Sequence, residues 1–136
     1  MPQLKDIAGV VASLEASVAA AATAATARTT VGRAPFKSKV VGAYWVPITA
    51  HSGAATANRY LEVVNAGSAG TGTAVAASKT YTASADAVAY ASNSLVAVTT
   101  TAANLAEGDV IVVDALVNST GLPLPAGRIV VTLQGR

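Results

Sequence analysis

Two hydrophobic periods divide the chain. In LKDIAGVVASLEASV, residues 4–18, the apolar residues Leu4, Ile7, Val11, Leu14 and Val18 recur at alternating steps of three and four, the spacing of one narrow helical face. Pro2 near the start, abundant Ala, and a weak continuation through Ala21 and Ala25 predict a helix over residues 3–27. Such a helix is marginal alone in water, because nucleation costs more than propensity returns. The seam therefore needs a partner.

From Val40 onward the pattern shortens to β-like runs separated by turn residues. VVGAYWVPI reads as a strand, with Pro47 marking an edge or bulge near its end. NRYLEVV alternates, placing Tyr60, Glu62 and Val64 on one face and Leu61 and Val63 on the other. TAVAASKTYT, ADAVAYA and SLVAVTT read as further strands, and AANLAEGD as a turn or short helical turn leading into the strand DVIVVDALV. After the loop NSTGLPLPAG, the run RIVVTLQ sets Ile129, Val131 and Leu133 on one face. Short strands spaced by turns, with no helix between them, predict a mainly β fold, an antiparallel β-sandwich of jelly-roll type preceded by the N-terminal α-helix and an extended arm. The expected domains are the helix at 1–27, a basic extended arm or linker at 28–39, and the β-sandwich at 40–136.

Composition adds three constraints. The chain has 136 residues, 52% of them hydrophobic and only 12% charged, which suits a single packed domain. Its apolar residues are mostly Ala and Val, so each contributes modestly, at about 0.8 kcal/mol per buried methylene, and association with identical chains would add burial. The absence of cysteine removes disulfides, thiolate metal sites and cysteine nucleophiles. Neither a secretory signal nor a membrane-spanning helix is expected, since Asp6 and Glu15 interrupt the early apolar stretch.

Charge singles out one window. Arg28, Arg33, Lys37 and Lys39 lie in RTTVGRAPFKSK, which contains no Asp or Glu, so it could meet an acidic surface or nucleic acid. Phe36, the chain's only phenylalanine, could anchor on another surface or pack on its own domain. Nucleic acid is not the expected partner, because no cationic stripe or aromatic series accompanies these residues.

Candidate chemistry is thin. His51 is the only histidine and, with no cysteine or neighbouring carboxylate in sequence, reads as an ordinary surface-loop residue. GSAGTGT has the glycine spacing that opens a phosphate-binding loop, but Thr73 stands where lysine should and no helix follows. It reads as a mobile strand connection, with glycine supplying positive φ. Glu107-Gly108-Asp109 offers too few oxygens for calcium and reads as a turn. Asn118-Ser119-Thr120 matches a glycosylation acceptor that matters only in a secretory pathway. No catalytic, cofactor or metal site is expected, and the chain is not expected to be an enzyme.

The order of segments carries a resemblance. VVGAYWVPITAHSGAATANRYLEVVNAGSAGTGT, then LAEGDVIVVDAL, then GLPLPAGRIVVTLQ resembles the small β-sandwich decoration, or cement, proteins of tailed-bacteriophage heads. The likeness covers about residues 40–136 and rests on a valine-rich first strand, a TAN turn, a GD turn and a Pro-Gly loop before the last strand. It implies a non-enzymatic virion protein, made in the host cytoplasm, that binds the major capsid protein on the outer surface of the capsid and stabilises the shell. Homotrimers are the common form. On that reading Arg28, Arg33, Phe36, Lys37 and Lys39 attach the protein to the capsid, and Leu4, Ile7, Val11, Leu14 and Val18 form the trimer seam, with capsid docking of the helix as the alternative. The rival reading is a head-fibre or tail receptor-binding module whose HSGAATAN loop recognises a host surface glycan.

Overall fold

A computed structural model describes residues 9–82, 86–97, 101–119 and 122–136. They form an antiparallel sheet nearly closed into a barrel. Its strands are β1 (Val11–Val18), β2 (Ala27–Arg33), β3 (Ser38–Pro47), β4 (Arg59–Asn65), β5 (Ala74–Tyr81), β6 (Asn93–Ala97), β7 (Asn104–Leu105), β8 (Val110–Val117) and β9 (Gly127–Gly135). The order is β1-β9-β3-β6-β5-β4-β8-β2, with the two-residue β7 beside β3. Leaving β7 aside, the pairing is nested: β1 with β9, β2 with β8, β3 with β6, and β4 with β5. β6 turns the corner between two half-sheets, pairing through Asn93–Leu95 with β3 and through Val96 and Ala97 with β5. At the opposite side β1 and β2 approach, the Leu14 side chain lying 3.4 Å from where a Cβ on Gly32 would stand.

The expected N-terminal helix is not formed among the described residues. Val11–Val18 pair with β9 from Val11↔Gln134 to Val18↔Gly127. The stretch VASLEASV satisfies both periods where it matters: Leu14 and Val18 are four apart, hence on one face of a helix and also on one face of a strand. In the strand, Leu14 and Val18 pack into the core while Val11, at odd parity, points outward with 61% of its surface exposed. The ladder with β9 satisfies every second backbone group and supplies the partner that an isolated helix lacked. Leu4 and Ile7 lie outside the described residues.

The arm at 28–39 is likewise part of the sheet. Arg28–Arg33 belong to β2, and Ser38 and Lys39 open β3, so the boundaries expected at 27/28 and 39/40 fall inside strands. ADAVAYA does not form the expected strand. Within its described residues only Ala87 pairs, as an isolated bridge to His51, and Tyr90 sits in a turn. The remaining strand expectations hold within the described residues, with 98–100 of SLVAVTT lying outside them: Leu61 and Val63, and Ile129, Val131 and Leu133, all face the core, together with Trp45, Tyr81, Ile111 and Val113.

The half-sheets differ on their outer faces. On β4 and β8 the outward Val64 and Val112 join Ala66 and Val110 in a second buried cluster, with Val75 against it. The connection 66–73 closes this cluster. It is doubled back by Gly72 N–H donating to the Ala66 carbonyl (2.8 Å) and reaches across β8, where Arg28 Nη1 donates to the Gly72 carbonyl (3.5 Å). Gly67 (φ 69°) and Gly70 (φ 78°) supply the left-handed turns, so the expected glycine role holds while the loop is packed against the sheet. On the other half-sheet, Val11 and Val41 stay exposed.

Candidate functional site

The residues expected to attach the protein are separated by the fold. Arg28 is engaged at home: its Nε and Nη2 donate to the two Asp114 carboxylate oxygens at 2.7 and 2.8 Å, and this bond raises its pKa further. Arg33 donates to the Gly108 carbonyl at 2.9 Å. Phe36 is buried in its own chain, so its ring is not offered as an anchor. Lys37 and Lys39 remain exposed. They share one end of the open half-sheet with Arg136, a residue that sequence reasoning missed: its N–H donates to the Lys37 carbonyl at 3.2 Å and its Nε to the Ser38 carbonyl at 3.0 Å. In register, Lys39 stands opposite Gln134 and Asn104, not a carboxylate.

The other end of the same face is mostly apolar, with Ser17 and the Glu15-bonded Arg128 at its margin. Where β1 and β3 end and β9 begins, a groove of about 490 Å³ opens between Val18, Val46, Pro47, Ile48, Tyr90 and Gly127. Ile48 is 51% exposed and Tyr90 78% exposed. Tyr90 holds a positive φ of 59°, fixed by its N–H donating to the Pro47 carbonyl at 2.8 Å. A bulky residue in that region is strained, and such strain collects where a side chain is held out for use. Between the two ends the strands carry one carboxylate, Glu15, already bonded to Arg128 at 2.8 Å. No sequence signal marked the groove, because its walls come from three strand ends that meet only in the fold.

A polar cluster lies inside the barrel. His51, expected on the surface, is buried, its ring edge-on to Tyr81 (5.2 Å between centroids) and to Trp45 (6.2 Å). Trp45 Nε1, His51 Nε2 and the Tyr81 hydroxyl have no protein partner. Burial pushes the His51 pKa down, Arg59 adds to that, and Asp86 opposes it; burial also raises the Tyr81 phenol. Trp45 comes from β3 and Tyr81 from β5, so the cluster spans the two half-sheets. Gly53 N–H donates to Asp86 Oδ1 at 3.2 Å, and a Cβ at Gly53 would strike the Tyr81 carbonyl, so only glycine lets the His51 loop approach.

Arg59 is fully buried without a bonded carboxylate, a state that burial resists by lowering its pKa. Its guanidinium donates to the carbonyls of Leu122 (2.8 Å), Ala25 (2.8 Å) and Ala22 (2.9 Å). It thereby fastens the β1–β2 connection and the β8–β9 connection to β4. Sequence reasoning missed Arg59, although parity marks it, since it shares a face with Leu61 and Val63.

Among the described residues no group of three or more His, Cys, Asp or Glu is placed to hold a metal, and no helix is long and apolar enough to cross a membrane. No family model, curated protein or solved structure matches the chain.

Proposed function

We propose that the chain is a structural protein of a tailed-phage virion, folded as a jelly roll, that binds the major capsid protein on the outside of the capsid and stabilises the shell. The observation that carries this reading is the nested pairing, first strand with last and inward to the β4–β5 hairpin. An antiparallel hairpin rolled in this way is the arrangement of jelly-roll modules, which serve in viral capsids and lectins. With it goes a division of labour between faces: one half-sheet is closed over by its own loop, while the other leaves a surface free to lie on a shell.

On this reading the protein is non-enzymatic, is made in the host cytoplasm, and acts on the virion surface as a homotrimer. The seam first expected of a helix is replaced by whatever surface β1 leaves exposed, Val11 included. Co-sedimentation with expanded capsids, without binding to the unexpanded precursor, is the expected result; equal binding to both, or to neither, would sink the proposal. The exposed Tyr90 ring beside the groove favours one second reading, a receptor-binding module that stacks a host glycan on that ring. Glycan binding by the purified protein with no affinity for capsids would favour it.

A further inference from the structure

We infer that the outer face of β1, β9, β3 and β6 is a protein-docking surface, and that its partner is an acidic protein surface carrying a projecting apolar side chain. This deepens the capsid-binding reading and rests on it for the partner's identity, though not for the location of the face.

The argument starts from how uneven the face is. At one end Lys37, Lys39 and Arg136 are brought side by side by backbone contacts, and the residues opposite Lys39 in register are amides. At the other end lies the groove beneath Ile48 and Tyr90. Ile48 follows Lys39 by nine steps along and just past β3, which at about 3.3 Å per residue is roughly 30 Å. The strands between them carry only Glu15 as a carboxylate, and Arg128 occupies it. A clustered positive end with amides in register across from Lys39 attracts an acidic partner. An apolar groove with an aromatic rim takes up an apolar side chain.

The same unevenness selects among occupants. A two-fold contact between copies through the centre of this face would set the cations of each copy against the groove or the cations of the other, depending on the axis direction, and neither compensates the charge. Nucleic acid would reward the cationic end but leave Ile48, Tyr90 and Val11 facing phosphate. The groove is walled chiefly by Val, Pro, Ile, Ala and Gly, and with Arg128 bonded to Glu15 only Ser17 and the Tyr90 hydroxyl remain as side chains to hydrogen-bond a sugar. A partner protein with acid at one end and an apolar side chain at the other satisfies both.

The test has two arms. In the first, the full-length isotope-labelled protein is titrated with a synthetic ten-residue peptide bearing three Glu at one end and a Trp at the other, joined by Gly and Ser. Amide shifts are expected at Lys39, Val41, Val46, Ile48 and Tyr90. Shifts centred on Glu62 and Lys79 of the opposite half-sheet, or none, overturn the assignment. In the second arm, capsid co-sedimentation compares K37E/K39E/R136E, the single change Tyr90→Ser, and K79E on the opposite half-sheet. The triple variant is expected to weaken binding by about tenfold or more, Tyr90→Ser by severalfold, and K79E not at all.

Circular dichroism melts of each variant separate lost binding from lost folding; a triple variant that does not fold leaves Tyr90→Ser and the peptide arm to decide. Loss confined to K79E overturns the face while leaving the capsid reading intact. Wild-type protein that ignores capsids ends the capsid reading, and the peptide arm then decides the face alone. Face variants that abolish a dimer in sedimentation velocity, or binding to duplex DNA, in place of peptide binding overturn the choice of partner.

Discussion

The two half-sheets are built from similar Ala-, Val- and Thr-rich strands, yet they treat their outward valines in opposite ways. Val64 and Val112 face outward on the β2-β8-β4-β5 half and are buried under the chain's own glycine-rich connection, whereas Val11 and Val41 on the β1-β9-β3-β6 half face water, the former with 61% of its surface exposed. The ion pairs divide in the same way. Arg28–Asp114 is bidentate and partly sheltered, while Arg128–Glu15 is a single exposed bond. One outer face is finished as a structural layer, and the other is left as a surface. What separates them is the connection after β4, long enough and rich enough in glycine to fold back.

Four measurements press on this contrast. The largest effect is expected at the joint between the halves. Arg59→Met removes the buried donor that holds three carbonyls of the two connections and should destabilise the fold by about 3 kcal/mol in urea titration. A loss below about 1 kcal/mol would mean that the connections at 22–25 and 122 hold themselves.

Next comes the contrast itself. Val112→Ala in the covered cluster should cost about 2 kcal/mol, and Val11→Ala on the open face less than about 0.5 kcal/mol. Equal costs would show that the two faces are equivalent in the protein's stability.

The third concerns pH. Because the His51 pKa lies below its unfolded value, stability is unaffected above about pH 6.5 and falls as pH drops below it, where only the unfolded chain readily takes the proton. His51→Gln should remove that part of the acid slope in thermal melts; an unchanged slope would assign it to the carboxylates. The smallest effect is in the ion pairs. Double-mutant cycles should give up to about 1 kcal/mol for Arg28–Asp114 and close to zero for Arg128–Glu15, and the reverse order would contradict the sheltering attributed to the loop.

Much of the β architecture was legible because alternation survives in short runs: β4 and β9 present the faces their sequences predict, and β8 forms where DVIVVDALV predicts a strand. β1 was misread because Leu14 and Val18 fit both periods, and the choice between them lies in β9, more than a hundred residues away. ADAVAYA has strand composition, yet apart from the Ala87 bridge its described residues lack a partner strand, which local pattern does not report. The basic window was correctly seen as basic. Its division into an occupied Arg28, a buried Phe36 and exposed lysines depends on Asp114 and on the chain's other end. Arg136 joined the lysines only through tertiary contact, and His51 was drawn inside by Trp45 and Tyr81.

The nested pairing has a kinetic consequence. Only β4 with β5 and β5 with β6 join consecutive strands; β3, β2 and β1 must wait for successively later strands, and β9 fills the gap between β1 and β3 last of all. Such non-local pairing places the protein among slow folders, in the millisecond-to-second range. During synthesis at about 5–20 residues per second, β1 spends seconds as an unpaired edge before β9 emerges. The small, weakly sticky side chains of VASLEASV, with Ser13, Glu15 and Ser17 along one face, suit a strand that must remain soluble while it waits.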